Sequence, residues 1–203
     1  MPEAKPVRPF NLALVEKPEA LRLPPAELMK GPVDLEIGCG VGWHPIRYAL
    51  ANPGRSLIAI EHTRAKFERF ESRLAGHEVI PNLFPVHADA VRWVSHALTP
   101  GSIDRCFLHY PNPEPKAANK RWFRMPFMHR LIEILKPGGE IVLATNEEWY
   151  WQEALEWAEK QWGLVITDKR SFKAVDSQEP RTHFERKYLQ RGETCFDLSV
   201  RKP

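Results

Sequence analysis

An apolar run that starts at Val33 leads directly into Leu35-Glu36-Ile37-Gly38-Cys39-Gly40-Val41-Gly42, and helix-forming residues open after Trp43. Glycine reaches positive φ at little steric cost and has no Cβ to hold a ligand away. The first N–H groups of a helix find no partner inside it. The segment is therefore expected to be a strand–turn–helix joint, with Gly38, Gly40 and Gly42 cradling a ligand against bare backbone.

The remaining chain repeats the alternation. Strands are expected over 33–37, 56–60, 83–87, 103–108, 140–144, 164–168 and 194–200, and helices over 43–51, 63–75, 90–98, 122–135 and 147–162. Thr63 is a candidate N-cap, and Gly76 and Lys136-Pro137-Gly138-Gly139 are candidate stops. Strands alternating with helices of this length imply βαβ units, hence an α/β fold with a mostly parallel sheet covered on both faces. The crossovers are right-handed.

At 203 residues the chain suits one domain with a sizeable core, and 43% hydrophobic and 27% charged residues are ordinary for a globular protein. Residues 1–32 are proline-rich and aperiodic. They read as an N-terminal arm with one short helix near 24–29, ahead of a domain over 33–203. Arg8 and Lys17 could meet an anion, although solvated charge is the simpler reading. A net charge of +3 permits a nucleic-acid partner without requiring one. The three cysteines lack metal-type spacing and sit in apolar contexts. No apolar run approaches a membrane span and the N-terminus does not open like a signal peptide, so a cytoplasmic protein without membrane attachment is expected. The histidines show no HxxxH or HExxH spacing, and no metal is expected.

In open α/β sheets a ligand lies beyond the carboxyl ends of the strands. Glu61, just after the second strand, is placed to accept from two ribose hydroxyls, and Asp89, after the third, from an exocyclic amine such as adenine's. The glycine spacing is G-x-G-x-G, not the G-x-G-x-x-G of dinucleotide sites, and Glu36 precedes it. A pyrophosphate disfavours a neighbouring carboxylate, whereas a cofactor with an ammonium and a sulfonium centre favours one. This is the pattern of class I S-adenosylmethionine (SAM) methyltransferases, and the sequence resembles that superfamily from Val33 onward. The resemblance implies a Rossmann-like seven-stranded sheet of order 3-2-1-4-5-7-6 with an antiparallel strand 7. It also implies SAM as cofactor, held by Glu36, Gly38, Gly40, Gly42, Glu61 and Asp89.

The loop after the fourth strand reads His109-Tyr110-Pro111-Asn112-Pro113-Glu114-Pro115-Lys116, that after the fifth Thr145-Asn146-Glu147, and a later segment Thr182-His183-Phe184-Glu185, with Gly192 beyond. Together these resemble the tRNA (guanine-N7)-methyltransferase family. The resemblance implies catalytic positions at Asn112 and Asn146, substrate contacts from Lys116, Lys120, Arg121, Thr182 and Glu185, tRNA as partner, and a monomer or homodimer. Pro113, Pro115, Lys116, Thr182 and Glu185 match the family pattern. Asn112 and Asn146 stand where it has aspartates, Glu114 where it has tryptophan, and Phe184 where it has tyrosine.

Guanine N7 carries a lone pair and no proton, so its methylation needs orientation more than a base. A carboxylate can accept from guanine N1–H and N2–H and stabilise the cationic product. Asparagine lacks the charge, which Glu114, Glu147 or Glu185 could supply. The Asn112-Pro113-Glu114-Pro115 loop also resembles that of amino-nitrogen methyltransferases, without its aromatic. A small-molecule methyltransferase and a SAM-binding relative without transfer remain alternatives. Thr182-x-x-Glu185 is equally a capping box. Lys116, Lys120, Arg121 and Arg124 with Trp122 and Phe123 suit phosphate contact and stacking, or a solvated helix start. Trp149 or Tyr150 could stack a base, although the tryptophans of this region mostly read as core. His109, at a strand end, is the one histidine to watch.

Overall fold

In the computed structural model, which describes residues 7–176 and 179–203, the glycine-bearing joint occupies the middle of a seven-stranded sheet. Strand β1 (Val33–Ile37) is buried along its whole length, as a strand covered on both faces must be. Its neighbours are β2 (Ser56–Glu61) and β4 (Ile103–His109), both parallel to it. β3 (Leu83–His87) pairs with β2 and β5 (Leu135–Thr145) with β4, again in parallel. β7 (Cys195–Arg201) runs antiparallel between β5 and β6 (Val165–Phe172). The order is β3-β2-β1-β4-β5-β7-β6, as the superfamily resemblance implies.

The helices are α1 (Trp43–Ala51), α2 (Arg64–Leu74), α3 (Ala90–Ala97), α4 (Phe127–Ile134), α5 (Glu148–Lys160) and α6 (His183–Gln190). A large core of fully buried side chains, among them Leu35, Ile58, Trp93, Met128 and Tyr150, fills one face, and Leu57, Phe70 and Phe107 belong to a second cluster. Each such aliphatic or aromatic side chain contributes roughly 1.5–3 kcal/mol on burial. Both sheet edges resist further pairing: β3 carries Pro85, and β6 is largely exposed and carries Asp168, Lys169 and Arg170.

Three expectations change. The helix expected over 122–135 is a short 3-10 turn, Trp122–Arg124, followed by α4, because Pro126 cannot continue the hydrogen-bond ladder. Lys136-Pro137-Gly138-Gly139 lies inside a long β5 instead of ending a helix. There Gly139 is required by crowding, since a Cβ would stand 2.9 Å from the Lys136 carbonyl oxygen. Thr63 precedes α2 but its side chain makes no capping bond.

The arm over 7–32 lies along the β3 edge and α3. Trp93 Nε1 donates to the Arg22 carbonyl at 3.0 Å, His96 Nε2 lies 2.9 Å from the Val15 carbonyl, and Phe10 packs edge-on against Phe127. The short helix expected near 24–29 is a 3-10 turn, Ala26–Met29, and another spans Leu12–Leu14. All three cysteines are free and buried. Among the described residues, no helix is long and apolar enough to cross a membrane.

Candidate active site

The loop after β1 has the backbone its glycines predict. Gly38, Gly40 and Gly42 take φ values of 77°, 62° and 78°, a region other residues enter only at a cost. A Cβ on Gly38 or Gly40 would meet nothing within 4 Å, so conformation and not crowding demands glycine there. At Gly42 both apply, because a Cβ would lie 2.0 Å from the Phe70 ring. Phe70 is fully buried and brings α2 against the start of α1.

Glu61 is the last residue of β2 and almost fully buried. Its Oε2 accepts from Gly40 N–H at 2.8 Å and its Oε1 from Thr63 N–H at 2.7 Å. The carboxylate thus ties the glycine loop to the β2–α2 turn, and the unused lone pairs of its oxygens can accept further hydroxyl donors. Asp89, after β3, is exposed. Its Oδ1 caps α3 by accepting from Arg92 N–H at 2.9 Å, which leaves Oδ2 for a ligand.

Glu36 departs from expectation. It is buried within the sheet end, not displayed on the cradle surface. His44 Nδ1, on α1, lies 2.7 Å from its Oε2, and His109 Nδ1, ending β4, lies 3.6 Å from its Oε1. Burial alone raises the Glu36 pKa. The opposing charge interaction with His44, its hydrogen bond and the proximity of His109 prevail, and hold it at about 2. For His109, burial leads and the His44 charge adds, so its pKa falls below the ordinary value. The two rings meet edge to face at 4.5 Å. The absence of sequence-close histidine pairs hid this grouping, in which one ligand atom from each of the three residues lies within 4.8 Å of the others. At 2.7 Å, Glu36 and His44 are at hydrogen-bond distance, so an ion here would have to displace that proton.

Beyond β4 the backbone is strained on either side of Asn112, with Tyr110 at φ 49° and Glu114 at φ 47°. Asn112 Nδ2 donates to Glu114 Oε1 at 2.9 Å. Beyond β5, Asn146 Nδ2 donates to Glu193 Oε2 at 2.9 Å. Both asparagines therefore carry a carboxylate partner. Glu114 was anticipated. Glu193 was not, since 47 residues separate it from Asn146.

Other assignments are corrected. Glu185, expected on the substrate side, is a buried hub. Its Oε2 accepts from Tyr110 Oη at 2.8 Å and from Arg181 at 2.6 Å, and its Oε1 from Arg181 N–H at 3.0 Å. It anchors the strained Tyr110, and with it the Asn112 loop. Thr182 caps α6, accepting from Glu185 N–H at 3.0 Å. Arg121, expected on RNA, is buried with its guanidinium 2.6 Å from Glu153, while Lys116 and Lys120 are exposed. Glu147 accepts from Trp149 Nε1 at 3.0 Å. Tyr150 is fully buried, so of the two aromatic candidates for stacking only Trp149 is exposed.

The sheet order, the left-handed glycine loop and the carboxylate ending β2 define a protein of the class I methyltransferase type. A family model described as a putative methyltransferase matches residues 30–198. A tRNA (guanine-N(7)-)-methyltransferase of Saccharophagus degradans is 35% identical over 86% of this chain and 78% of its own. One from Nitrosococcus oceani is 30% identical over 96% and 77%. The chain belongs to the tRNA (guanine-N7)-methyltransferase family. Among solved structures, the 16S rRNA methyltransferase KamB matches with a TM-score of 0.68 at 19% identity, covering 87% of this chain and 92% of its own. The [4+2]-cyclase SpnF matches with 0.61 at 14%, covering 85% and 76%. These likenesses show the fold, and a cyclase among them shows that the fold alone does not set the reaction.

Proposed function

We propose that this protein transfers a methyl group from SAM to N7 of a guanine in tRNA. The cofactor would lie over Gly38 and Gly40, with its ribose hydroxyls donating to Glu61 and its adenine amine to Asp89. When bound it supplies an electrophilic methyl on a sulfonium. Glu36 lies beneath the loop, where its contact with His44 braces the end of β1 against the start of α1.

The acceptor reading is carried by the pair of asparagine–carboxylate contacts at the ends of β4 and β5. Each amide is held by its glutamate through Nδ2; the Asn112 Oδ1 also accepts from Glu114 N–H at 3.4 Å and keeps one lone pair for a further donor. An oriented amide oxygen can accept from guanine N1–H or N2–H, and the adjacent carboxylate lowers the energy of the cationic product. Glu114 and Glu193 thereby supply, at one remove, the charge that aspartates supply in the family pattern. Lys116 and Lys120 would meet RNA phosphates, and Trp149 offers a face for stacking. A cytoplasmic location and a monomeric or homodimeric state accord with this reading.

Methyl-labelled SAM and an unmodified tRNA transcript, followed by digestion to nucleosides, test the proposal. The expected product is labelled 7-methylguanosine. Label on an exocyclic amine would favour amino-nitrogen transfer, and SAM binding without label in any RNA would favour a non-transferring relative. The replacement of both aspartates by asparagine is the observation behind that second reading.

A further inference from the structure

The cradle accounts for one side of Gly42. On its other side α2 presents Lys66, Arg69 and Arg73, spaced i, i+3 and i+7 and so along one helix face. The start of α6 brings Arg186 towards the same place. Arg186 lies 4.4 Å and Arg73 5.9 Å from the ring of Trp43, which opens α1, and Lys66 lies 5.7 Å from the ring of Phe184. Between the two helices is a cavity of about 500 Å³, bordered by Val41 of the glycine loop, Arg69, Ser72, Arg73 and His183.

The acidic groups near this region are taken by other cations, in Arg64–Glu68, Arg47–Glu179, Arg181–Glu185 and Arg181–Asp197. Among the described residues, Lys66, Arg69, Arg73 and Arg186 enter no ion pair. Lys66, Arg73 and Arg186 rest on aromatic faces, which hold a cation in place without neutralising it. Two uncancelled guanidinium groups, Arg69 and Arg73, line a concave cavity that Ser72 and His183 also border, with Arg186 beside Arg73 on the Trp43 ring, and together they form a receptor for anionic oxygens. The cavity borders the cradle at Val41, yet none of Glu61, Asp89, Asn112 or Asn146 lines it.

We infer that the groove between α2 and α6 binds backbone phosphates of the RNA acceptor, as a second contact beside the cofactor cradle. This rests on the reading of the protein as an RNA methyltransferase. It adds the basic face of α2 to the clusters legible in the sequence, Lys116 with Lys120 and the stretch around Arg186. Two separate phosphate sites would hold an RNA at two points and fix its approach to the methyl donor, which one flexible lysine cluster cannot do.

The test is a variant carrying Arg69→Gln, Arg73→Gln and Arg186→Gln, with Arg69→Gln alone as a milder companion. Binding of a labelled tRNA transcript is followed by anisotropy across a KCl series, with SAM affinity measured by calorimetry on the same samples. Each lost phosphate contact lowers the log–log salt slope by about 0.7–0.9. A fall of about 2–3 is expected for the triple variant and just under 1 for the single one, with SAM affinity within about twofold of wild type. An unchanged slope in both variants overturns the inference, as does loss of SAM affinity with RNA binding intact. If the slope falls as expected but wild-type protein labels no guanine N7, the groove stands and the proposed reaction fails. If wild type makes 7-methylguanosine while the variant slopes do not move, the groove alone fails.

Discussion

Replacing Glu61 with glutamine removes one charge and one acceptor from the point where the glycine loop is tied. The carboxylate accepts from Gly40 N–H at 2.8 Å and Thr63 N–H at 2.7 Å. Glutamine can serve one of these donors and sets its own NH2 against the other. A hydrogen bond to a charged group contributes about 1.5–3 kcal/mol, so a loss of about 2 kcal/mol is expected without cofactor. In a domain of this size that is roughly 4–8 °C in melting temperature. If the same carboxylate also holds the ribose hydroxyls, SAM affinity falls by a further 1.5–3 kcal/mol, or roughly 10- to 150-fold. Thr63→Pro separates the two roles. It deletes only the Thr63 N–H donor at a residue whose φ of −77° suits proline, so it loosens the tie and keeps the acceptor. Calorimetric titration with SAM should give a large loss for Glu61→Gln and at most a few-fold loss for Thr63→Pro. Equal losses, or destabilised Glu61→Gln with wild-type affinity, would show that Glu61 only braces the loop.

Gly42→Ala should lower stability by about 3 kcal/mol or more in urea unfolding, since it combines left-handed strain with a clash against Phe70. Gly38→Ala has strain alone and should cost about 1 kcal/mol; equal losses would remove the Phe70 contact from the account. Glu185→Gln should cost about 3 kcal/mol while leaving SAM affinity within twofold, because the carboxylate serves Arg181 and Tyr110 inside the fold. Unchanged stability with a raised KM for RNA would return Glu185 to the substrate. Stability should also fall on acidification in two stages. His109 has a folded pKa below its ordinary 6.5, so the unfolded chain takes up the proton first and stability drops as pH falls through that value. Glu36, at about 2 when folded against an ordinary 4.5, adds a second loss between those limits. Urea midpoints at pH 7.5, 5.5 and 4 for wild type and His109→Gln check this, and an unaltered profile in the variant would refute the first stage.

What was legible in the chain was whatever local chemistry dictates. Val33–Ile37 and Trp43–Ala51 form the expected elements because an apolar run, three glycines and a helix start are adjacent in sequence. Glu61 was identifiable because it ends a strand at a known distance from that loop. What escaped depends on contacts between distant segments. Arg121 resembles its basic neighbours until Glu153, 32 residues away, takes its guanidinium. Thr182 and Glu185 fit both a capping box and a substrate motif, and only the approach of Tyr110 across 75 residues separates the two. His44 shows no ligand-like spacing, since its partners are on β1 and at the end of β4. The basic face of α2 was hidden for another reason: its cations alternate with acidic residues along the sequence, and only the helical period and the approach of α6 bring them together.

The buried carboxylates divide in a way that bears on the reaction. Asp34 is matched by Arg55, Asp197 and Glu185 by Arg181, and Glu153 by Arg121 and Arg124. Each of these charges is cancelled where it lies. Glu61 is different, being held by backbone N–H groups alone. Donors without full charge satisfy a carboxylate's hydrogen bonds and leave its field standing. The end of β2 at the cradle therefore carries negative potential in a dehydrated setting, where it acts most strongly. A cationic methyl donor is favoured there and a polyanion is not. The uncancelled cations are on other segments, Lys116 and Lys120 on the loop after β4 and Lys66, Arg69, Arg73 and Arg186 on α2 and α6. On the proposed function, this separation of sign would let the protein receive a positively charged cofactor and a negatively charged RNA without either taking the other's place.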